Sequence, residues 1–472
     1  MQPATARCAR WMRVGVGLAL GWLLLAGSAE AQEPTDTRAQ PADAAEKASE
    51  ETALNHELLE WPAEEPAAEE PPPEAAEEVP PEKEADEPPP ITVDWSMHWN
   101  NGFRLRRSDG RYDLHLGGRI LVDGAVRYFD KNLVRTSQEG WDTDSDVRQG
   151  RLFGQGFLFQ RCFFKASYDF ANTDATDLFV GLRGLGPLGS LQVGYMKEPF
   201  SLEQRTSALF ITFMERSLAN ALVPGRNSGI LVTNTFFDDR LRLALGAFAL
   251  VDSLSDTDNL SDGFDDGLDL TASFTGVLYE DAESRDLLIA GLSYSHTFVS
   301  EKSLTVGQRP ESFLSDKLLQ ASLDNVDGAR RLAYEAAWVS GPLSLQTESI
   351  FSWIHRSDSA TVFFWGSYLQ VSYLLTGERR IYGKKSGAFG RIVPHSPFSP
   401  SEGGWGALEL AARFSYLDLD DQEIRGGREG NVTLGLNWYL LSNARISVNA
   451  IYGRVSHQGD VAFLQTRFQL VF

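Results

Sequence analysis

The sequence predicts a transmembrane antiparallel β-barrel of about sixteen strands over residues 91–472, and three observations predict it. Apolar and polar residues alternate with a period of two, so each strand has an apolar face and a polar face. The alternating runs span about nine to twelve residues, close to the roughly 9–11 that a tilted strand needs to cross a bilayer. Long polar loops alternate with tight turns such as Ser442-Asn443, which is typical of membrane barrels.

A soluble sandwich of two sheets would alternate in the same way, so other features decide the environment of the strands. Aromatic residues cluster near strand ends, where the interfacial girdles of membrane barrels lie. Residues 91–472 contain no long apolar run from which a helical membrane protein could be built. These features favour a barrel in a membrane, whose apolar outer face contacts the surrounding lipid.

Counting the runs in order gives an even number of strands, and barrels of this size enclose an aqueous channel. We expect strands at 112–128, 150–160, 162–171, 177–183, 189–197, 228–236, 240–250, 269–279, 286–297, 331–340, 342–354, 362–375, 406–418, 430–440, 444–455 and 461–472. We expect the long loops at 252–268, 299–330 and 376–405. The chain ends on Phe472, and a terminal aromatic of this kind is the signal that outer-membrane assembly machinery reads.

Two segments before the barrel have different compositions. Residues 1–31 combine three arginines, an apolar stretch and the small-x-small site Ala29-Glu30-Ala31, which predicts a signal peptide. Residues 32–90 hold nineteen acidic and three basic residues among many prolines. This composition predicts a disordered periplasmic spacer. The net charge of −22 therefore describes mainly the spacer.

The residues of the barrel do not predict catalysis. Cys8 leaves with the signal peptide, so Cys162 stands alone and forms neither a disulfide nor a cysteine metal site. No Ser/His/acid constellation or Gly-rich phosphate loop is present, and the histidines are scattered. We expect no enzyme activity, no cofactor and no metal, and export disfavours a nucleic-acid partner.

Six stretches of the barrel, in order from about residue 102, read GFRLRRSDGRYDLHLGGRILVDG, GYMKEPFSLE, ITFMERS, YLQVSYLLTGERRIYGKKSGAFGRIVP, GALELAARFSYLDL and GLNWYL. They resemble the phosphate-selective porin O and P family. The resemblance implies a sixteen-stranded outer-membrane barrel, usually a trimer, whose inward-folded third loop narrows an anion-preferring pore. Members often begin with a short coiled coil, and this chain has the Pro/Glu-rich spacer in that place.

The segment KEPFSLEQRTSALFITFMERS, residues 197–217, follows the fifth predicted strand, where the third external loop is expected. Arg205, Thr206 and Ser207 match the basic-plus-hydroxyl segment of the family, so the resemblance implies that they contact the anion. An arginine fork with two hydroxyls suits an oxyanion chemically. Arg216 and Arg226 are expected to extend the basic surface.

An alternative role for the charges of this segment is structural. Glu203, Arg205, Glu215 and Arg216 would then pair with each other or with the barrel wall and pin the loop inside the barrel. Under this alternative they would hold the constriction in place without contacting the permeating ion.

The polar face of the strands is expected to add basic residues to the pore wall. These are Arg119, Arg127, Lys165, Arg240, Arg242, Arg413, Arg445 and Arg467. Such a column lowers the barrier for anions along the pore. The same face also carries the acidic residues Asp123, Asp169, Glu335, Glu348 and Glu409, and mixed walls are typical of weakly selective porins.

The sequence therefore predicts an exported membrane barrel with an aqueous channel, and the resemblance implies an outer-membrane porin for passive diffusion of small anions such as phosphate, assembled as a homotrimer. Two alternatives stay open. The barrel could be a general, weakly selective porin, or it could be a structural anchor whose acidic spacer binds the cell wall or a periplasmic partner.

Overall fold

The computed structural model describes residues 94–130, 133, 140–250, 267–281 and 283–472. The predicted signal peptide and spacer lie outside these residues. The described residues form twenty β-strands: β1 (Trp95–Trp99), β2 (Phe103–Arg107), β3 (Tyr112–Phe129), β4 (Gly140–Leu158), β5 (Cys162–Asp169), β6 (Asp174–Arg183), β7 (Ser190–Lys197), β8 (Arg226–Phe236), β9 (Leu241–Ala249), β10 (Leu268–Asp281), β11 (Asp286–Gln308), β12 (Leu319–Ser340), β13 (Leu343–Arg356), β14 (Val362–Leu374), β15 (Tyr382–Gly383), β16 (Ala388–Phe389), β17 (Ala407–Asp421), β18 (Ile424–Leu441), β19 (Ala444–Val455) and β20 (Gly459–Val471).

Sixteen of these strands, β3 to β14 and β17 to β20, form a closed antiparallel barrel. Each strand pairs with its neighbour in the chain, and the last strand closes the barrel through pairs from Val461↔Phe129 to Val471↔Arg119. The predicted fold class is confirmed, and each of the sixteen predicted strands has its counterpart.

The apolar face of the strands points outward and the polar face points inward. In β17, Leu410 and Phe414 are 48% and 55% exposed, whereas Glu409, Arg413 and Ser415 are buried. A barrel with apolar residues outside and polar residues inside is built for a bilayer around a polar lumen. No helix within the described ranges is both long and apolar enough to cross a membrane.

The two ends of the barrel differ. At one end, here the turn end, lie Phe472 and the tight turn Ser442-Asn443, and at the other, the loop end, lies the third loop. The predicted loop 252–268 connects β9 to β10 at the loop end, although residues 252–266 are outside the described residues.

The prediction of a long loop at 299–330 is wrong. β11 and β12 continue as a ladder up to the pair Gln308↔Leu319, so only residues 309–318 connect them. Leu304 and Val306 of this extension are buried in one apolar cluster with Leu417 of β17. The strands therefore extend past the length that a bilayer requires and pack across the loop end of the barrel.

The predicted loop at 376–405 exists, but it lies at the turn end of the barrel and not with the other long loops. β14 ends and β17 begins at the turn end, so segment 375–406 enters the lumen from the side of the tight turns. It contains the small β15–β16 sheet, and Phe389 within it is buried. Arg205 Nε donates to Gly387 O at 3.0 Å, so this segment meets the third loop inside the barrel.

The third loop, residues 198–225, lies inside the barrel as predicted. It forms the helical turn α1 (Leu202–Arg205) and a 3₁₀ helix at Leu218–Leu222. The 3₁₀ helix lies directly on the wall, since a Cβ added to Gly366 of β14 would be 2.8 Å from the Ala219 Cα. Only glycine permits this approach of two backbones.

Candidate functional site

A cavity remains open between the third loop, segment 375–406 and the wall formed by β3 to β9. Its volume of about 260 Å³ is many times the roughly 10–15 Å³ that one water molecule requires. The third loop therefore fills one side of the barrel and leaves this space, called the channel below, along the other.

The charged side chains around this channel are predominantly cationic. Ten basic residues line it: Arg119, Arg151, Lys165, Lys197, Arg205, Arg216, Arg226, Arg242, Lys385 and Arg391. The acidic lining residues among the described part of the chain are Asp177 and Glu198. An excess of fixed positive charge around a narrow polar passage attracts anions and repels cations.

The two acidic residues do not cancel this excess. Asp177 is held by Lys165 Nζ and Arg226 Nε, each at 3.0 Å from a carboxylate oxygen. Glu198 lies at the start of the third loop, where Asn227 Nδ2 donates to its Oε1 at 2.8 Å. Burial and the neighbouring Asp269 carboxylate raise the pKa of Glu198 to about 8, so this group is largely uncharged at neutral pH.

Arg242 borders the channel with a largely buried guanidinium group. Its Nε donates to Lys385 O at 3.0 Å, which fixes the guanidinium beside segment 375–406. Its Nη1 is buried and has no partner in the described structure, and the residue lines the channel. A buried cationic donor without a partner is costly unless a ligand satisfies it, and an anion does so best.

The predicted constriction residues lie in two different situations. Ser207, Arg216 and Arg226 line the channel together with Arg205. Thr206 is buried, and its Oγ1 accepts a hydrogen bond from Phe389 N at 3.3 Å, on the side of segment 375–406. The contact of these residues with an anion remains a prediction.

The guanidinium of Arg205 is engaged by protein groups on three sides. Besides Gly387, it donates to Ser273 Oγ at 3.3 Å and forms an ion pair with Glu335. Arg216 likewise donates from Nε to Glu203 O and from Nη2 to Thr206 O, each at 3.0 Å. Both residues therefore hold the shape of the loop, whatever else they contact.

The acidic residues of the third loop pin it to the wall, as the structural alternative expected. Glu203 pairs with Arg413 at 3.2 Å, and Glu215 pairs with Arg148 at 2.9 Å. Glu215 also pairs with Arg467 of β20. Burial alone would raise the pKa of Glu215, but the two guanidinium groups outweigh burial and hold the pKa well below its ordinary value. Neither glutamate lines the channel, so neither opposes its cationic charge directly.

Of the predicted wall residues, Arg119, Lys165 and Arg242 line the channel. The prediction for Arg240 is wrong, because β8 ends at Phe236 and Arg240 is an exposed residue of the turn that follows. Arg127 lies toward the loop end of β3, where it pairs with Asp142 at 2.9 Å and Asp144 at 3.2 Å.

Arg413, Arg445 and Arg467 were predicted as residues of the pore wall, but they have a different role. They point inward but are buried beneath the third loop and do not line the channel. Arg445 Nη1 donates to Ile211 O at 2.9 Å, and Arg467 also pairs with Asp123 at 2.6 Å. These arginines satisfy the backbone and carboxylates of the loop, so they clamp it.

Four cationic lining residues were absent from the predicted site: Arg151, Lys197, Lys385 and Arg391. Arg151 lies in β4 within the stretch 150–171, which is apolar on both faces, so the phase of the alternation could not be read there. Lys385 and Arg391 belong to segment 375–406, whose basic run is visible in the sequence but was predicted only as a long polar loop.

Comparison with known proteins gives relatives of one kind. A family model described as phosphate-selective porin O and P matches residues 120–472. An uncharacterized protein of Caulobacter vibrioides is 28% identical over 353 residues, covering 72% of this chain and 68% of its own length. Porin O of Pseudomonas aeruginosa is 23% identical, covering 74% of this chain and 84% of its own. The anion-selective porin from Comamonas acidovorans aligns in structure with a TM-score of 0.48 at 12% identity, covering 76% of this chain and all of its own.

Proposed function

Since this chain belongs to the phosphate-selective porin O and P family, a family of outer-membrane porins, we propose that it forms a water-filled channel for passive diffusion of small anions, phosphate and related oxyanions among them. The observation that carries the proposal is the charge of the channel lining, with ten basic residues against two acidic ones. One of those acidic residues, Glu198, is largely uncharged at neutral pH.

The channel selects anions through the fixed positive charges of its lining. An anion that leaves bulk water loses part of its hydration shell, and guanidinium and ammonium groups replace the lost interactions. Arg242 supplies positive charge on the wall side of the passage, while Ser207 and Arg216 line it on the loop side. Arg205, whose charge is paired with Glu335, fixes the third loop against segment 375–406.

The remaining parts of the chain fit export to a cell surface membrane. Residues 1–31 direct export, and residues 32–90 lie in the periplasm, because β1 begins near the turn end of the barrel. Phe472 is recognised by the assembly machinery, and three copies assemble into a trimer, as the family resemblance implies. The protein acts as a channel and not as an enzyme.

The test is conductance in a planar bilayer with purified full-length mature protein. We expect stable unitary currents in chloride, and we expect added phosphate to reduce the chloride current in proportion to its occupancy of the channel. Stable anion currents without phosphate block indicate a general anion porin, and the absence of any conductance indicates a structural anchor. Deleting residues 32–90 leaves the conductance unchanged under the channel proposal, whereas an anchor loses its periplasmic partner.

A further inference from the structure

The inner wall of the channel carries an apolar belt, formed by Phe163, Phe179, Met196 and Leu231. These residues come from four consecutive strands, β5 to β8, and pack into one cluster. All four also line the channel. The inner face of a water-filled barrel is ordinarily polar, so an apolar cluster that borders the channel, with 2% to 7% of each residue exposed, requires an explanation.

Glycines let the two phenyl rings of the belt lie close to the wall. Phe163 pairs with Gly181 across β5 and β6, and Phe179 pairs with Gly194 across β6 and β7. A Cβ added to Gly181 would lie 2.3 Å from the Phe163 Cζ, so the ring rests on the glycine backbone. The belt is thereby formed without filling the lumen that it borders.

Cationic groups border the belt on the same inner face. Lys165 lies two residues beyond Phe163 on β5, a spacing of about 6.5 Å that keeps both side chains on one face. Arg242 and Lys385 line the same channel, and Arg242 Nη1 lacks a partner. The channel therefore presents an apolar surface and cationic donors to one occupant.

A small inorganic anion makes no use of such a belt. Phenyl and aliphatic side chains offer no donor to replace its hydration, and the face of an aromatic ring carries partial negative charge. An anion with an apolar body uses both surfaces, because its body leaves water against the belt while its charged group meets the cations.

We propose that the channel binds organic anions that carry an apolar body, aryl phosphates and aromatic carboxylates in particular. The charged group lies at Lys165 and Arg242, and the apolar body lies against Phe163 and Phe179. This inference rests on the proposed anion channel and names a substrate class for it.

The test compares two phosphate monoesters of equal charge, methyl phosphate and phenyl phosphate, as blockers of chloride current through the full mature chain. We expect phenyl phosphate to reach half block at a concentration about tenfold lower, since the phenyl group buries far more apolar surface than a methyl group. Equal potency of the two esters overturns the inference. In that case a reversal potential that still favours chloride leaves the anion channel itself intact, so the two failures are distinguishable.

Substitutions in the belt test which side chains contact the apolar body of the ester. Phe179→Thr removes a lining ring and keeps a residue that suits a strand, and we expect the tenfold ratio between the esters to fall toward one. The matched control is Phe157→Thr, which removes a ring that packs on the same cluster but does not line the channel, so the ratio persists. An unchanged ratio in Phe179→Thr overturns the assignment to the belt. If that variant does not assemble, Phe163→Leu is measured in its place, with the same two outcomes.

Discussion

Glu203 of the third loop and Arg413 of β17 form an ion pair of 3.2 Å between Oε1 and Nη1, with both side chains almost fully buried. The same guanidinium pairs with Glu311 of the 309–318 connection at 2.7 Å and donates to Glu215 O at 3.1 Å. One wall residue therefore joins two inward-folded loops. The open channel is what remains of the lumen once these loops are fixed.

Replacing Arg413 by glutamine should loosen the third loop. Glu203 and Glu311 would lose their buried partner, and breaking a buried pair costs about 3–5 kcal/mol. We expect a lower unfolding temperature of the barrel and larger, noisier unitary currents in a bilayer. Arg454→Gln is the control, because the Arg454–Asp460 pair is largely exposed and its loss should change neither quantity. Unchanged current noise in the Arg413 variant would show that the position of the loop does not depend on the ion pairs of Arg413.

Arg242 and Arg240 are two residues apart in the chain but differ in their positions. Arg242 lines the channel, whereas Arg240 is exposed in a turn. We expect Arg242→Gln to lower the anion-to-cation permeability ratio about fivefold, which corresponds to ~1 kcal/mol of lost attraction. Arg240→Gln should leave the ratio unchanged. Equal effects of the two variants in reversal-potential measurements would contradict the placement of the channel.

Arg205 and Glu335 form a buried pair whose net charge is zero. Arg205→Ala should lower the anion preference, because it leaves the Glu335 carboxylate without its counter-charge near the channel. The double variant Arg205→Ala/Glu335→Gln removes both charges and should recover most of that preference in reversal-potential measurements. A preference that stays low in the double variant would show that Arg205 itself contacts the permeating anion.

The anion preference should decrease at alkaline pH. Burial and Asp269 raise the pKa of Glu198 to about 8, so raising the pH through this value places a negative charge on the channel lining. We expect the permeability ratio to be steady from pH 6 to 7 and to fall between about pH 7 and 9. Glu198→Gln, which cannot ionise, should keep the neutral-pH ratio throughout. A decrease of the same size in this variant would assign the titration to another group.

The strands could be predicted because residues that face the bilayer must be apolar and residues that face the lumen must be polar, and the two kinds alternate along a strand. Leu410 and Glu409 are adjacent in β17, and one is exposed to the lipid side while the other is buried inside. Where the strands extend past the bilayer, the preference reverses, so that apolar residues point inward and polar residues point outward. Leu304 and Val306 of β11 point inward while Thr305 is exposed, since water surrounds the extension and apolar residues turn to the interior. Because the alternation of apolar and polar residues changes phase here, the sequence pattern predicted a loop in place of a strand.

The candidate site was only partly predictable because some inward-pointing arginines line the channel whereas others are buried beneath the third loop. Arg119 and Arg467 both lie on polar faces of their strands, yet one lines the channel and the other is buried against Asp123 and Glu215. The difference depends on where the third loop and segment 375–406 settle across the lumen. Those contacts join residues more than a hundred positions apart, and no local pattern of the sequence contains them.

The reversal potential in a tenfold gradient of potassium chloride tests the central claim most directly, namely that the cationic lining makes the channel prefer anions. With the full mature chain in a neutral bilayer at pH 7, we expect a potential close to that of a chloride electrode. A potential of the sign that potassium selectivity produces would contradict the account.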